Sequence, residues 1–243
     1  ESRYPKVTFG WSYKTNYLDA VCALFHQEGA VAEVVSGMEY EKARRLGVPG
    51  SHIIFNGPCK SEADLKLAVV DGARIHIDNM DELYLLEQIA KELGQKIQVG
   101  IRINMDTGIY PQWSRFGFNF ESSQAMAAAR RIKKKNRLVL TGLHSHLGTY
   151  ILYPDAYGRA IKKLMRFSQD VDEAFGFKTT YIDLGGGFPS RSRLKGSYHG
   201  PDIMVPPIED YAEAITQALF TYAHKDLPEL VLDGHVRGHH PEV

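Results

Sequence analysis

The chain carries eight short apolar runs rich in β-branched residues, the first seven each followed by a stretch with helical spacing. This alternation limits its possible folds more than any other feature. The runs are VTFGWSY (7–13), AVAEVVS (30–36), HIIFN (52–56), RIHID (74–78), IQVGIRIN (97–104), VLTGLHSH (139–146), TYIDLG (180–185) and ELVLDG (229–234). Helices are expected over 16–29, 37–47, 60–72, 79–94, 122–135, 154–175 and 208–224. Gly47 suits a helix stop, and Ser61 and Asp64 have the spacing of a capping pair. Strands alternating with helices form parallel β-α-β units. Eight of them in 243 residues predict a TIM-type (β/α)8 barrel, for which about 250 residues is typical. A doubly wound sheet is the alternative, because a strand count does not prove closure.

A barrel concentrates chemistry at the carboxyl ends of its strands. There this chain offers Lys14, then Glu33 and Ser36, Asn56, Asp78, Arg102 and Asn104, His144 and His146, Gly185–Gly186–Gly187, and Asp233. Three consecutive glycines let backbone N–H groups approach an anion without side-chain hindrance, and the loop after strand seven is a frequent phosphate site in barrels. A plain tight turn is the other reading. His144 and His146 lie two apart on a strand and so share a face, where they could bind metal, move protons or stack on an aromatic ligand. A zinc hydrolase would use them with Asp233 and His235, His239 or His240. Lys14 read alone is a solvated charge closing a strand. Taken with a phosphate-sized loop and a stacking histidine, it suggests pyridoxal 5'-phosphate, whose aldehyde condenses with a lysine.

Other classes are disfavoured by composition. Lysine plus arginine and aspartate plus glutamate number 29 each, so no global field draws nucleic acid or an anionic membrane. The basic run 130–135 closes an alanine-rich segment and reads as a solvated helix end. Cys22 and Cys59 are the only cysteines and show no C-x-x-C, so they suggest neither a disulfide framework nor a zinc site. With no long apolar run and no signal-like start, a cytoplasmic location is expected. After the eighth run only GHVRGHHPEV remains, and the chain starts with Glu1 rather than methionine. The expectation is one barrel domain over 1–243, incomplete after strand eight and part of a longer protein.

SYKTN, VVSGME, GLHSHLGT and YIDLGGGFP, in this order and spacing, resemble the barrel domain of the fold-type III decarboxylases. These are alanine-racemase-like barrels that include the diaminopimelate, ornithine and arginine decarboxylases. The resemblance covers roughly residues 6 to 234. It implies that Lys14 forms the Schiff base with pyridoxal phosphate and that His146 stacks on the pyridine ring. Thr149 occupies a serine position near the phosphate, and Gly185, Gly186 and Gly187 match the phosphate-binding glycines. Arg102 matches an arginine close to the cofactor. Glu33 stands where aspartate is usual, Ser36 begins the S-G-G-E-like segment, and Glu39 matches its glutamate. SRFGF (114–118) resembles the family's S-K-F-G, with Arg115 replacing lysine.

The last motif departs from the pattern. Where the family has E-P-G-R, LVLDGHVRG offers Asp233 for the glutamate that pairs with the pyridine nitrogen. Gly234 replaces proline, and Arg237 comes one place late for the phosphate. Aspartate is one methylene shorter than glutamate. The family's β-sandwich domain, which helps build a homodimer and contributes groups to the active site, has no counterpart here. The resemblance implies decarboxylation of a small amino-acid substrate, and the G-L-H-x-H-x-G form points to meso-diaminopimelate and lysine biosynthesis. A racemase is the rival enzyme, though its family places arginine at the ring nitrogen. A non-catalytic cofactor-binding or regulatory relative is the rival of another class. No metal is expected in the family reading.

Overall fold

A computed structural model describes residues 4–189, 204–223 and 228–234. Its strands are β1 (Val7–Ser12), β2 (Val31–Val34), β3 (Ile53–Phe55), β4 (Arg74–Ile77), β5 (Ile97–Asn104), β6 (Phe118–Asn119), β7 (Leu138–Ser145), β8 (Tyr181–Leu184) and β9 (Glu229–Gly234). Its helices are α1 (Asp19–Gln27), α2 (Gly37–Arg45), α3 (Glu62–Val70), α4 (Met80–Glu92), α5 (Gln124–Lys135), α6 (Pro154–Phe175) and α7 (Ile208–Tyr222).

All eight expected strands form, and they close. Parallel pairing runs β1-β2-β3-β4-β5-β7-β8-β9 and returns from β9 to β1, with Val7 opposite Leu230 and Trp11 opposite Gly234. The β4–β5 pairing, His76 with Gly100 and Ile77 with Ile101, joins what would otherwise be two edges. Closure excludes the doubly wound sheet, which must keep open edges. β6 is an addition on the end of β5. Two residues are too short to show alternation in a sequence.

Local chemistry explains the helix limits. Ser61 and Asp64 form the expected reciprocal capping box at α3. α6 buries one continuous stripe, including Ala156, Ala160, Leu164 and Val171, and stops at Gly176 with φ +72°. The basic end of α5 is less solvated than its sequence suggests. Arg131 donates to both carboxylate oxygens of Glu87 on α4, at 2.9 and 2.7 Å, and stacks over Tyr84. Among the described residues no helix is long and apolar enough to cross a membrane.

The main core lies between the strands and the helices, as where Trp11 of β1 stacks on Phe25 of α1 at 3.6 Å. Ile54, Tyr181 and Val231 pack apart from it with Val31. Glycines make room beside them: a Cβ at Gly142 would fall 1.9 Å from the Tyr181 ring, and one at Gly100 2.3 Å from His76. Polar rings therefore occupy space that branched aliphatic side chains usually fill in such barrels.

Candidate active site

The β1 strand hands over to the site through a tight turn. Tyr13 N–H still donates to Glu33 O at 3.0 Å, and Thr15 closes back on Ser12 O through its N–H and its hydroxyl, at 3.1 and 2.7 Å. Buried Tyr13 anchors the turn, with its hydroxyl 2.8 Å from His26 Nε2. Lys14 is thus held by its backbone while its side chain is exposed at the carboxyl end of the barrel. Its charge acts on Glu33, Glu39, His144 and His146, groups that belong to three different segments.

Glu33 is buried, and Asn56 Nδ2 donates to its Oε1 at 3.0 Å. Burial pushes its carboxyl up, against the opposing pull of Lys14. Ser36 caps α2, and Glu39 braces the residue before the cap. Ser36 Oγ accepts from Glu39 N at 3.3 Å, and Glu39 Oε2 accepts from Val35 N at 2.7 Å. The Ser36 hydroxyl, a cofactor candidate from the sequence, is thereby engaged as a helix cap. Arg102 is buried against Phe116 and lies 3.5 Å from Asp78 Oδ1. Asn104 holds the SRFGF segment by donating to Phe116 O and Gly117 O at 2.8 and 3.0 Å. Arg115 stacks over Trp113.

His144 and His146 sit at successive levels of one column, as their spacing predicts. His144 pairs in register with Asp183 and stacks on His76 at 5.1 Å. His146 lies against Gly185, where an added Cβ would come 2.5 Å from its Nδ1 and 2.8 Å from its own Cβ. Burial, then the charges of Lys14 and Arg102, holds His146 down to about 3, so its ring is neutral at neutral pH. Thr149 is exposed, and its carbonyl accepts from Tyr110 Oη at 3.1 Å.

The glycine loop is a braced platform. Gly185 N donates to Ser145 O at 2.9 Å, Gly186 O accepts from Tyr157 Oη at 3.0 Å, and Gly187 O accepts from Ile151 N at 2.9 Å. Gly187 has φ +98°, and a Cβ there would meet Gly148 O at 2.2 Å. Carbonyls are thus tied back into the fold, while the N–H groups of Gly186 and Gly187 have no acceptor among the described residues. A side-chain-free cradle with available donors suits a phosphate, and a neutral imidazole beside it suits a flat ring. The residues present fit pyridoxal phosphate.

On β9, Asp233 pairs in register with Gly10 and Gly234 with Trp11. Arg237 and the histidines 235, 239 and 240 lie outside the described residues, so the zinc set that uses them has no geometry here. The sequence reading missed three residues beneath the mouth. His76, Tyr181 and Asp183 are buried, with His76 Nε2 2.9 Å from Tyr181 Oη and His76 Nδ1 3.2 Å from Asp183 Oδ2. Their signal was polar residues at alternating positions in otherwise apolar strands, RIHID and YIDLG.

Residues 1–233 match the family described as pyridoxal-dependent decarboxylase, pyridoxal binding domain. Diaminopimelate decarboxylase of Methanocaldococcus jannaschii is 30% identical over 233 residues, covering 92% of this chain and 51% of its own length. An L-glutamyl-[BtrI acyl-carrier protein] decarboxylase of Niallia circulans is 30% identical over 190 residues, covering 76% of this chain and 44% of its own length. The solved M. jannaschii diaminopimelate decarboxylase in complex with L-lysine superposes with a TM-score of 0.83 at 28% identity, covering 94% of this chain and 53% of that one. The chain spans about half the length of these relatives.

Proposed function

The chain belongs to the pyridoxal-dependent decarboxylases, and from that premise we propose that it holds pyridoxal phosphate for the decarboxylation of an amino acid, meso-diaminopimelate to lysine. One observation carries the cofactor reading. An exposed lysine on a fixed turn and a neutral histidine seated on a braced, donor-bearing glycine loop belong to the same end of one barrel. The substrate reading rests on relatives named diaminopimelate decarboxylase and on a solved relative in complex with L-lysine.

The bound cofactor supplies an electron sink for the pair left when carbon dioxide departs. This chain's residues do the rest. Lys14 would hold the cofactor through its exposed amine. Gly186 and Gly187 would bind the phosphate through their backbone N–H groups, while Gly185, whose own N–H is held by Ser145 O, leaves room beside His146. Thr149 and Arg237 are assigned to the phosphate by family position. His146 packs on the ring while remaining neutral, so it adds no charge that would oppose protonation of the pyridine nitrogen. Asp233 is assigned to hold that proton. Buried Glu33 and Arg102 set the field beneath, and Ser36 acts by capping α2. The longer protein is proposed to be a homodimer with further active-site groups outside this chain.

The test is visible absorbance of the chain with pyridoxal phosphate before and after borohydride, followed by peptide mapping. We expect a single reduced adduct on Lys14 that Lys14→Ala abolishes. An adduct on another lysine, or none in folded protein, overturns the assignment. Carbon dioxide release from meso-diaminopimelate by the longer protein then tests the substrate. Release only from a different amino acid sinks it.

A further inference from the structure

We propose that His76, His144 and Asp183 form a binding site for one borderline-soft divalent metal ion, zinc or a close neighbour, inside the barrel below the cofactor mouth. The ligand atoms of the two histidines and the aspartate all lie within 4.8 Å of one another, and all three residues are buried. His76 Nδ1 and His144 Nδ1 approach the same oxygen, Asp183 Oδ2, at 3.2 and 3.1 Å. Ligands about 2.0–2.2 Å from a tetrahedral zinc are separated from each other by roughly 3.3 Å. The observed spacing is that of two edges of such a tetrahedron.

His144 supplies an independent observation. Its side chain is only 4% exposed, yet Nδ1 has no hydrogen-bond partner while facing the Asp183 carboxylate. Leaving a buried polar nitrogen unsatisfied is costly, and a metal ion would satisfy it. Asn56 Oδ1 is hydrogen-bonded to His76 Nδ1 at 2.5 Å, too close to count as a further ligand of the same ion. Behind the ring, Tyr181 Oη sits 2.9 Å from His76 Nε2. With Nδ1 on a metal, His76 would carry its ring proton on Nε2, within hydrogen-bond distance of the tyrosine oxygen. Such an outer partner fixes the tautomer of a metal-bound histidine.

The donor set decides the class of ion. Two imidazole nitrogens favour zinc, cobalt, nickel or copper over calcium and magnesium, which want oxygen ligands only. The charges of Lys60, Arg74 and Arg102 also act on these rings, which further disfavours an ion held by electrostatics alone. The three protein donors are all buried inside the barrel, so the site would serve the fold rather than an open reaction centre. It joins β4, β7 and β8 across the barrel. This set differs from the zinc arrangement considered for the sequence, which relied on Asp233 and the terminal histidines.

The experiment is metal analysis of the 243-residue chain expressed with added Zn2+, and separately with Co2+, after EDTA washing and gel filtration. We expect one tightly held equivalent per chain and visible ligand-field bands for the cobalt form. In His76→Asn and His144→Asn, checked for folding by circular dichroism, the retained metal falls at least tenfold. A metal-free natural chain, or undiminished metal in a folded variant, overturns the site. If both variants fail to fold, X-ray absorption of the natural zinc form decides. Two imidazoles and oxygen in the first shell support the site, and any thiolate or other shell overturns it. Borohydride mapping on the same samples keeps the two readings separate. An adduct on Lys14 without metal sinks only the metal site, and metal without an adduct sinks only the cofactor reading.

Discussion

At Gly185 one methyl group would compete with the His146 ring for the same space. The added carbon would come 2.5–2.9 Å from three atoms of that side chain, and overpacking of this kind costs about 1–3 kcal/mol. Gly185→Ala is therefore expected to weaken pyridoxal phosphate binding about 5- to 150-fold, as read by absorbance titration. Unchanged affinity would mean that the ring is not seated as described. Lys14 contrasts with it. Its side chain is exposed, so Lys14→Ala should alter unfolding stability by no more than about 0.5 kcal/mol while abolishing the reduced adduct. A large loss of stability in denaturant titration would show that the lysine is structural. The two residues separate needs that a sequence motif mixes together: one supplies reactivity, the other supplies room.

Among the elements, β7 and β8 carry most of the site's burden. Their register sets His144 beside Asp183 and Gly142 beside Tyr181. Gly142 has to lack a side chain because the Tyr181 ring occupies the position of its Cβ. Gly142→Ala should therefore destabilise the barrel by about 1–3 kcal/mol in denaturant unfolding. Adding Tyr181→Val should recover most of that loss, because residues in contact couple. Additive losses in the double variant would refute the packing argument. On the outer layer, α4 and α5 are joined by the two-oxygen contact of Arg131 with Glu87. The clustered cations of α5 read as a solvated end, but one of them is a fastener between helices. Nothing in the local pattern of residues 130–135 distinguishes Arg131 from Arg130; only the position of Glu87, 44 residues away, does.

For the whole molecule, ligand binding and fold stability are linked. A cofactor bound by the folded barrel but not the unfolded chain should, at 100 times its dissociation constant, add about 2.7 kcal/mol. For a domain of this size that is a rise in Tm of about 5–11 °C. A thermal scan showing no rise in the natural chain, under conditions where the adduct forms, would mean that the barrel gains nothing from its ligand. The alternation of apolar strands and helices, written locally in residues 7–234, determined a succession of parallel β-α-β units with eight strands, since each unit is specified by its own periodicity. Lys14, His146 and Gly185–Gly187 were legible for a similar reason, because each ends a strand whose direction fixes which end of a barrel it reaches. Closure was not legible, as it depends on β4 meeting β5 and β9 meeting β1. Nor was the cluster of His76, His144, Asp183 and Tyr181, in which His76 and Tyr181 touch across 105 residues of chain. Periodicity assigns a residue to a face, but only the register of closed strands decides which faces meet at the same height. Tertiary structure alone therefore brought those polar rings together.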